Sequence, residues 1–135
     1  MPPVQYIAKP ILTSRDAIAS HVRWKITLLM AARMREPLSD RATHSIQHPE
    51  ECSIHQWLHS SHTLYLRGTP EYLAVLERHT EFHREMQSIA RLINSCDYAA
   101  AERLLNAPAA FQKASIAMAS ALMALDRIPI SAVAS

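Results

Sequence analysis

Apolar residues recur every three to four positions along several stretches of this chain, a helical period, and prolines and capping residues separate the stretches. Thr13 or Ser14 can cap a first helix with Asp16 in its opening turn, running to about Glu36 before Pro37 stops it. Its inward stripe reads Ala17, His21, Trp24, Leu28 and Ala31, flanked by Ile18, Val22 and Leu29. Leu38 to His48 is polar and without a period. Pro49, Glu50 and Glu51 look like the first turn of a second helix, carried inward by Ile54, Trp57, Leu58, Ser61, Leu64 and Tyr65. Gly68 would close it in the left-handed conformation. Thr69 then caps a third helix with Pro70 in its first position, and this segment has the clearest two-faced pattern. Tyr72, Val75, Leu76, His79, Phe82, His83, Met86, Ile89, Ala90 and Ile93 mark one face, while Glu77, Arg78, Glu85 and Arg91 fall elsewhere. Asp97 is placed to cap a short Ala-rich helix ending near Asn106. Pro108 would begin the last helix, through Phe111, Met118, Leu122 and Leu125, and Pro129 would end it.

Short connections between helices of this length favour antiparallel neighbours. The pattern therefore predicts an all-α fold, an antiparallel four-helix bundle with an interrupted last helix. An irregular lead-in over 1–12 precedes one bundle over 13–128, and a tail follows over 129–135. Composition agrees: one glycine in 135 residues, with good helix formers dominant. A net charge of +2, with scattered Lys and Arg, gives no electrostatic footprint for nucleic acid. Two cysteines, Cys52 and Cys96, are too few for a disulfide scaffold. The start Met1-Pro2-Pro3-Val4 lacks a basic-then-apolar leader, and no stretch is apolar for the length a bilayer requires. A soluble, cytoplasmic protein with reduced thiols is the expectation.

The chemistry lies in polar residues that occupy apolar positions. His21 sits on the inward stripe of the first helix, Cys52 near the start of the second, and His79 and His83 on the inward face of the third. Residues four apart stack on one helix face, so His79 and His83 can aim two rings at one ion. Taken singly, a His pair at this spacing is more often a surface pair, a lone core histidine is usually bonded to a carbonyl, and a buried cysteine is ordinarily a small apolar filler. Taken together, three imidazoles and one thiolate from neighbouring helices make a full tetrahedral shell for zinc.

The segments His21-Val22-Arg23-Trp24-Lys25, Cys52-Ser53-Ile54-His55-Gln56-Trp57-Leu58 and His79-Thr80-Glu81-Phe82-His83 resemble, in order and spacing, the chemoreceptor zinc-binding (CZB) domains of bacterial signalling proteins. The resemblance spans about residues 14 to 126. It implies a four-helix zinc domain, commonly a homodimer, with His21, Cys52, His79 and His83 as ligands. In that family the domain is usually fused to a chemoreceptor or a diguanylate cyclase and regulates its output. No such module is expected here, so the implied action is on a partner in trans, in chemotaxis or cyclic di-GMP regulation. His55 stands where the family often has glycine, which leaves open either a different turn around the cysteine or a fifth nitrogen beside it.

Physical chemistry says how such a site could signal. The Cys52 sulfur must ionise to bind, and zinc loss would leave a thiol and imidazoles on apolar faces, loosening the cysteine's helix. The same thiolate is what an oxidant such as hypochlorous acid would attack, so a redox sensor is an alternative, and a purely structural zinc bundle is another. Trp24 and Trp57 are expected to pack around the site or to serve as plain core aromatics. His44, His48, His55, His59 and His62 read mainly as solvated residues, with His55 and His59 spaced for a second, weaker metal. Cys96 reads as a packing thiol. An enzyme is disfavoured: Glu81 lies two residues after His79, not directly after it as metalloprotease chemistry requires. A di-iron bundle would need inward carboxylates, and Glu77, Glu81 and Glu85 lie off the stripe.

Overall fold

The computed structural model describes residues 14–106 and 109–129, and among these every regular element is helical. The elements are α1 (Ser14–Met34), α2 (Asp40–Gln47), a 3-10 turn (Pro49–Glu51), α3 (Ser53–Leu58), a second 3-10 segment (Ser61–Leu66), α4 (Pro70–Asn94), α5 (Tyr98–Asn106) and α6 (Ala110–Asp126). The irregular lead-in, Thr13 as a cap, Pro108 as a helix start and the tail beyond Pro129 lie outside the described residues.

The centre of the fold is α4. Thr69 caps it by accepting a hydrogen bond from the Tyr72 amide at 3.2 Å, and Pro70 fills the first turn, where a missing N–H is harmless. Its buried face is Tyr72, Val75, His79, Phe82, His83, Met86, Ile89, Ala90 and Ile93, as the period predicts, with Leu76 half-buried beside it. This face packs most extensively against α6, whose Phe111, Ala114, Met118, Leu122 and Leu125 are buried at helical spacing. Both α5 and α6 also pack against α1. α1 buries Ala17, His21, Leu28 and Ala32, so its stripe is turned slightly from the predicted one: Trp24 and Ala31 are half-buried. Val22, Ile26, Met30 and Met34, each four residues from the next, form a row on α1 about half exposed to solvent.

Three local expectations give way. First, Leu38–His48 is not irregular but contains α2. The Ser39 side chain accepts from the Ala42 amide at 3.1 Å, and Ile46 anchors the helix in the core. Second, the predicted continuous second helix is broken in two places. Cys52 is extended (φ −65°, ψ 137°) between the first 3-10 turn and α3, and α3 ends where side chains take over the carbonyls. Thr63 Oγ1 donates to the Leu58 carbonyl at 2.7 Å, Ser60 Oγ to the Trp57 carbonyl at 2.7 Å, and the Tyr72 hydroxyl also reaches Leu58. Beyond this break Thr63 and Leu66 are buried three apart, the 3-10 period, while Leu64 and Ser61 face solvent.

Third, Gly68 is not a left-handed stop; no glycine has positive φ. The left-handed closures fall on Arg35 (φ 55°) and Cys96 (φ 67°). At each, two amides bond back in the Schellman pattern: Arg35 N to Ala32 O and Glu36 N to Ala31 O, and likewise Cys96 N to Ile93 O and Asp97 N to Leu92 O. A side chain in that conformation costs about 1–2 kcal/mol, offset in glycine by its greater freedom when unfolded. Cys96→Gly is therefore expected to stabilise the protein by about 0.5–1 kcal/mol in urea unfolding. A destabilised variant would mean that the exposed Cys96 side chain, with the Tyr98 hydroxyl 3.6 Å from its sulfur, contributes more than its backbone strain costs.

Candidate metal centre

Four chemistry-bearing residues converge from three elements: His21 from α1, Cys52 from the extended link before α3, and His79 and His83 from α4. One donor atom from each lies within 4.8 Å of all the others. His79 Nε2 is the hub, 3.1 Å from His83 Nε2 and 3.6 Å from Cys52 Sγ. The three imidazoles are 2–4 % exposed, and Cys52 is half-buried. The placement follows from the helices: positions 79 and 83 share the buried face of α4, and position 21 lies on the buried face of α1.

The tautomer of His21 is set by its backbone. Its Nδ1 lies 3.0 Å from the carbonyl oxygen of Ala17, one helical turn back. A carbonyl can only accept, so Nδ1 carries the proton and Nε2 keeps a free lone pair. Among the described residues that Nε2 is buried with no hydrogen-bond partner, as is Nδ1 of His83. A buried acceptor without a partner is unfavourable unless something charged or polar meets it. The orphaned Nε2 within the donor group is what a metal site leaves when only its protein atoms are considered.

Electrostatics favour the same reading. Burial holds His21 down at about 4 against an ordinary 6.5, with the Ala17 bond partly opposing. His83 is held at about 4 by burial and by the neighbouring rings of His21 and His55. His79 is lowest, at about 2, through burial and then His83, His21, His55 and His59. At neutral pH all three are neutral imidazoles, the form that binds metal. Burial pushes the Cys52 thiol up. The amides of His55 and Ile54 face its sulfur and partly counter this, though neither closes a cap hydrogen bond. A cation in the group reverses that preference and draws off the thiol proton.

A pH dependence follows. The unfolded chain takes up protons on these histidines near pH 6.5, and the folded, metal-free chain refuses them until about pH 4. Stability of the metal-free protein should therefore be greatest above pH 6.5 and fall as pH drops toward 4, by up to about 1.4 kcal/mol per pH unit for each histidine. Melting in the presence of a chelator at pH 7.5 and pH 5 measures it. Equal midpoints would show that the rings are not buried in the neutral form.

Around the group, His21 packs on Phe82 with ring centroids 4.7 Å apart, and Phe82 in turn meets Phe111 of α6 at 5.4 Å. The sequence offers Trp24 and Trp57 either a place around the site or a role as plain core aromatics. Both are half-buried against the core, but among the described residues the ring contacts of the site's imidazoles are with one another and with Phe82. The signal for Phe82 was present in its position three residues after His79 and next to His83. The remaining histidines lie outside the group. His44 and His48 stack at 4.0 Å, His55 and His59 stack at 4.2 Å, and His62 is exposed. Cys96 sits apart at the end of α4. No helix among the described residues is long and apolar enough to cross a membrane. Comparison of the chain with protein-family models, with curated proteins and with solved structures returns no match.

Proposed function

We propose that this chain is a zinc-binding regulatory domain, a relative of the CZB domains, in which occupancy of the His21, Cys52, His79 and His83 group sets the output of a signalling partner. The observation that carries the reading is the convergence of three nitrogens and one sulfur from separate elements within 4.8 Å. Zinc–nitrogen and zinc–sulfur bond lengths in a tetrahedron imply N···N edges of about 3.3 Å and N···S edges of about 3.6 Å. The hub distances of 3.1 and 3.6 Å are close to these. Four protein donors would close the shell, the mark of a structural or sensory site and not of a catalytic one.

Zinc bound there would supply a positive charge that keeps Cys52 ionised and draws three elements together. The chain's own residues do the rest. Ala17 orients His21, α4 holds His79 and His83 in a fixed pair, and Phe82 shields the rings from water. Of the four donors only Cys52 lies outside a helix, in the extended link between a 3-10 turn and the six-residue α3. Occupancy thus becomes a difference in how residues 49–66 sit against α4, which a diguanylate cyclase or chemoreceptor partner would read. The exposed row Val22, Ile26, Met30 and Met34 suits a second copy in a homodimer, with twice the 15.2 kDa chain mass as the check.

Cys52 is also the least buried of the four donors, and this favours a second reading as an oxidant sensor. Its thiolate and hypochlorous acid would give a sulfenic acid and chloride, and the sulfur would lose its place in the shell. The deciding experiment is metal analysis of the purified protein with circular dichroism before and after chelation. About one zinc per chain, with helicity largely retained on its removal, is expected. No bound zinc would end the proposal, and complete unfolding on chelation would make the site structural. A zinc-independent output from every co-expressed cyclase or receptor would remove the signalling part.

A further inference from the structure

We infer that His55 and His59 form a weaker, solvent-facing site that collects a divalent cation and passes it inward to the buried four-donor group; the transfer step rests on the function proposed above. The two residues lie four apart at the C-terminal side of α3, the short helix that begins immediately after Cys52. Their rings are stacked, centroids 4.2 Å apart and 25° between planes. His59 Nδ1 lies 2.8 Å from the His55 carbonyl, which fixes the proton on Nδ1 and leaves Nε2 as the lone-pair nitrogen of an exposed residue. His55 is half-buried.

The pair belongs electrically to the centre. Charge on His55 and on His59 is felt at His79, and charge on His55 is felt at His83. The Glu50 carboxylate acts on His55 with the opposite sign, which favours a cation at the pair. The other stacked pair lacks these properties. His44 Nε2 is taken by Glu51 at 3.0 Å, and neither His44 nor His48 is among the rings whose charge reaches His79 or His83.

The chemistry suits a receiving site. Two neutral imidazoles completed by water bind a first-row dication without displacing a proton, but with half a protein shell they hold it loosely. Four donors, one of them anionic, bind it more tightly. The ion therefore moves inward, exchanging water and two imidazoles for three imidazoles and a sulfur, and the Cys52 proton leaves to solvent. A cation held at the pair raises its effective concentration beside a centre that is otherwise nearly closed to solvent.

Cobalt(II) tests this on the full chain, because a thiolate-bound cobalt gives a sulfur-to-metal charge-transfer band that two imidazoles and water cannot. The band in wild type should rise about tenfold faster than in H55A/H59A, with the same final amplitude, while H44A/H48A behaves as wild type. Equilibrium dialysis should show a weak second equivalent, absent from H55A/H59A and retained in Cys52→Ala. H55Q/H59Q, which keeps polar side chains, replaces the alanine variant if the latter loses helicity. Equal rates in wild type and H55A/H59A, or a weak equivalent that survives the double substitution, overturns the inference. A wild type without any charge-transfer band overturns the buried centre, and the transfer with it, while the dialysis still reports on the outer pair alone.

Discussion

Replacing Cys52 by alanine is expected to lower zinc affinity at least about a hundredfold while leaving the helices in place. Losing a hydrogen-bonding partner behind a ligand already costs 10–100-fold in metal affinity in characterised sites, so losing the ligand itself sets a larger effect. Cys52 supplies the only negative charge of the donor set, and removing it leaves three neutral rings around a dication. The fold should tolerate the change, because Cys52 is extended and only half-buried, and the neighbouring Ile54 and Leu58 carry the burial of α3. Competition against a chelator measures the affinity, and circular dichroism checks the helices. Full affinity in Cys52→Ala would mean that the sulfur is not a ligand.

The second large effect is on stability. Phe82 is fully buried between His21 and Phe111, so it ties α4 to both α1 and α6. Phe82→Ala is expected to cost about 3–5 kcal/mol, from lost burial and from the cavity left behind. For a domain with about 5–15 kcal/mol in hand, that lowers the thermal midpoint by roughly 10–20 °C. Saturating zinc should recover part of the loss, because ligand binding to the folded state alone adds stability by mass action. A midpoint shift under a few degrees would show that the core does not depend on this ring. Zinc that recovers nothing would mean that the metal centre does not survive without the ring.

Much of this architecture is legible in the residue pattern, and the parts that are not have identifiable causes. The course of α4 is plain because Thr69 and Pro70 mark its start and a long periodic face follows, and both of its histidines lie on that face. His21 is legible for the same reason, and its bond to Ala17 is implied by a carbonyl one turn back. The middle of the chain is harder. Ser60, Thr63 and Tyr72 direct hydroxyls at the carbonyls of Trp57 and Leu58, a competition between side chain and backbone that apolar periodicity does not register. α2 was hidden because Ile46 is its one fully buried side chain and its cap, Ser39, precedes a polar run. The single glycine misled because backbone strain here falls on Arg35 and Cys96 instead.

Asn94, near the end of α4, accepts from the Leu38 amide at 2.9 Å and donates to Thr43 Oγ1 at 3.1 Å, and Gln87 of the same helix donates to the Ile46 carbonyl at 3.2 Å. These amide side chains pin the front of the polypeptide between α1 and α4, whereas its rear half meets α4 through Cys52, the Tyr72 hydroxyl on the Leu58 carbonyl and apolar anchors. The connecting region is thus hinged at one end and latched at the other. Opening the latch would swing residues 49–66 about a fixed pivot, so amide hydrogen exchange after chelation should quicken there and stay slow in α2.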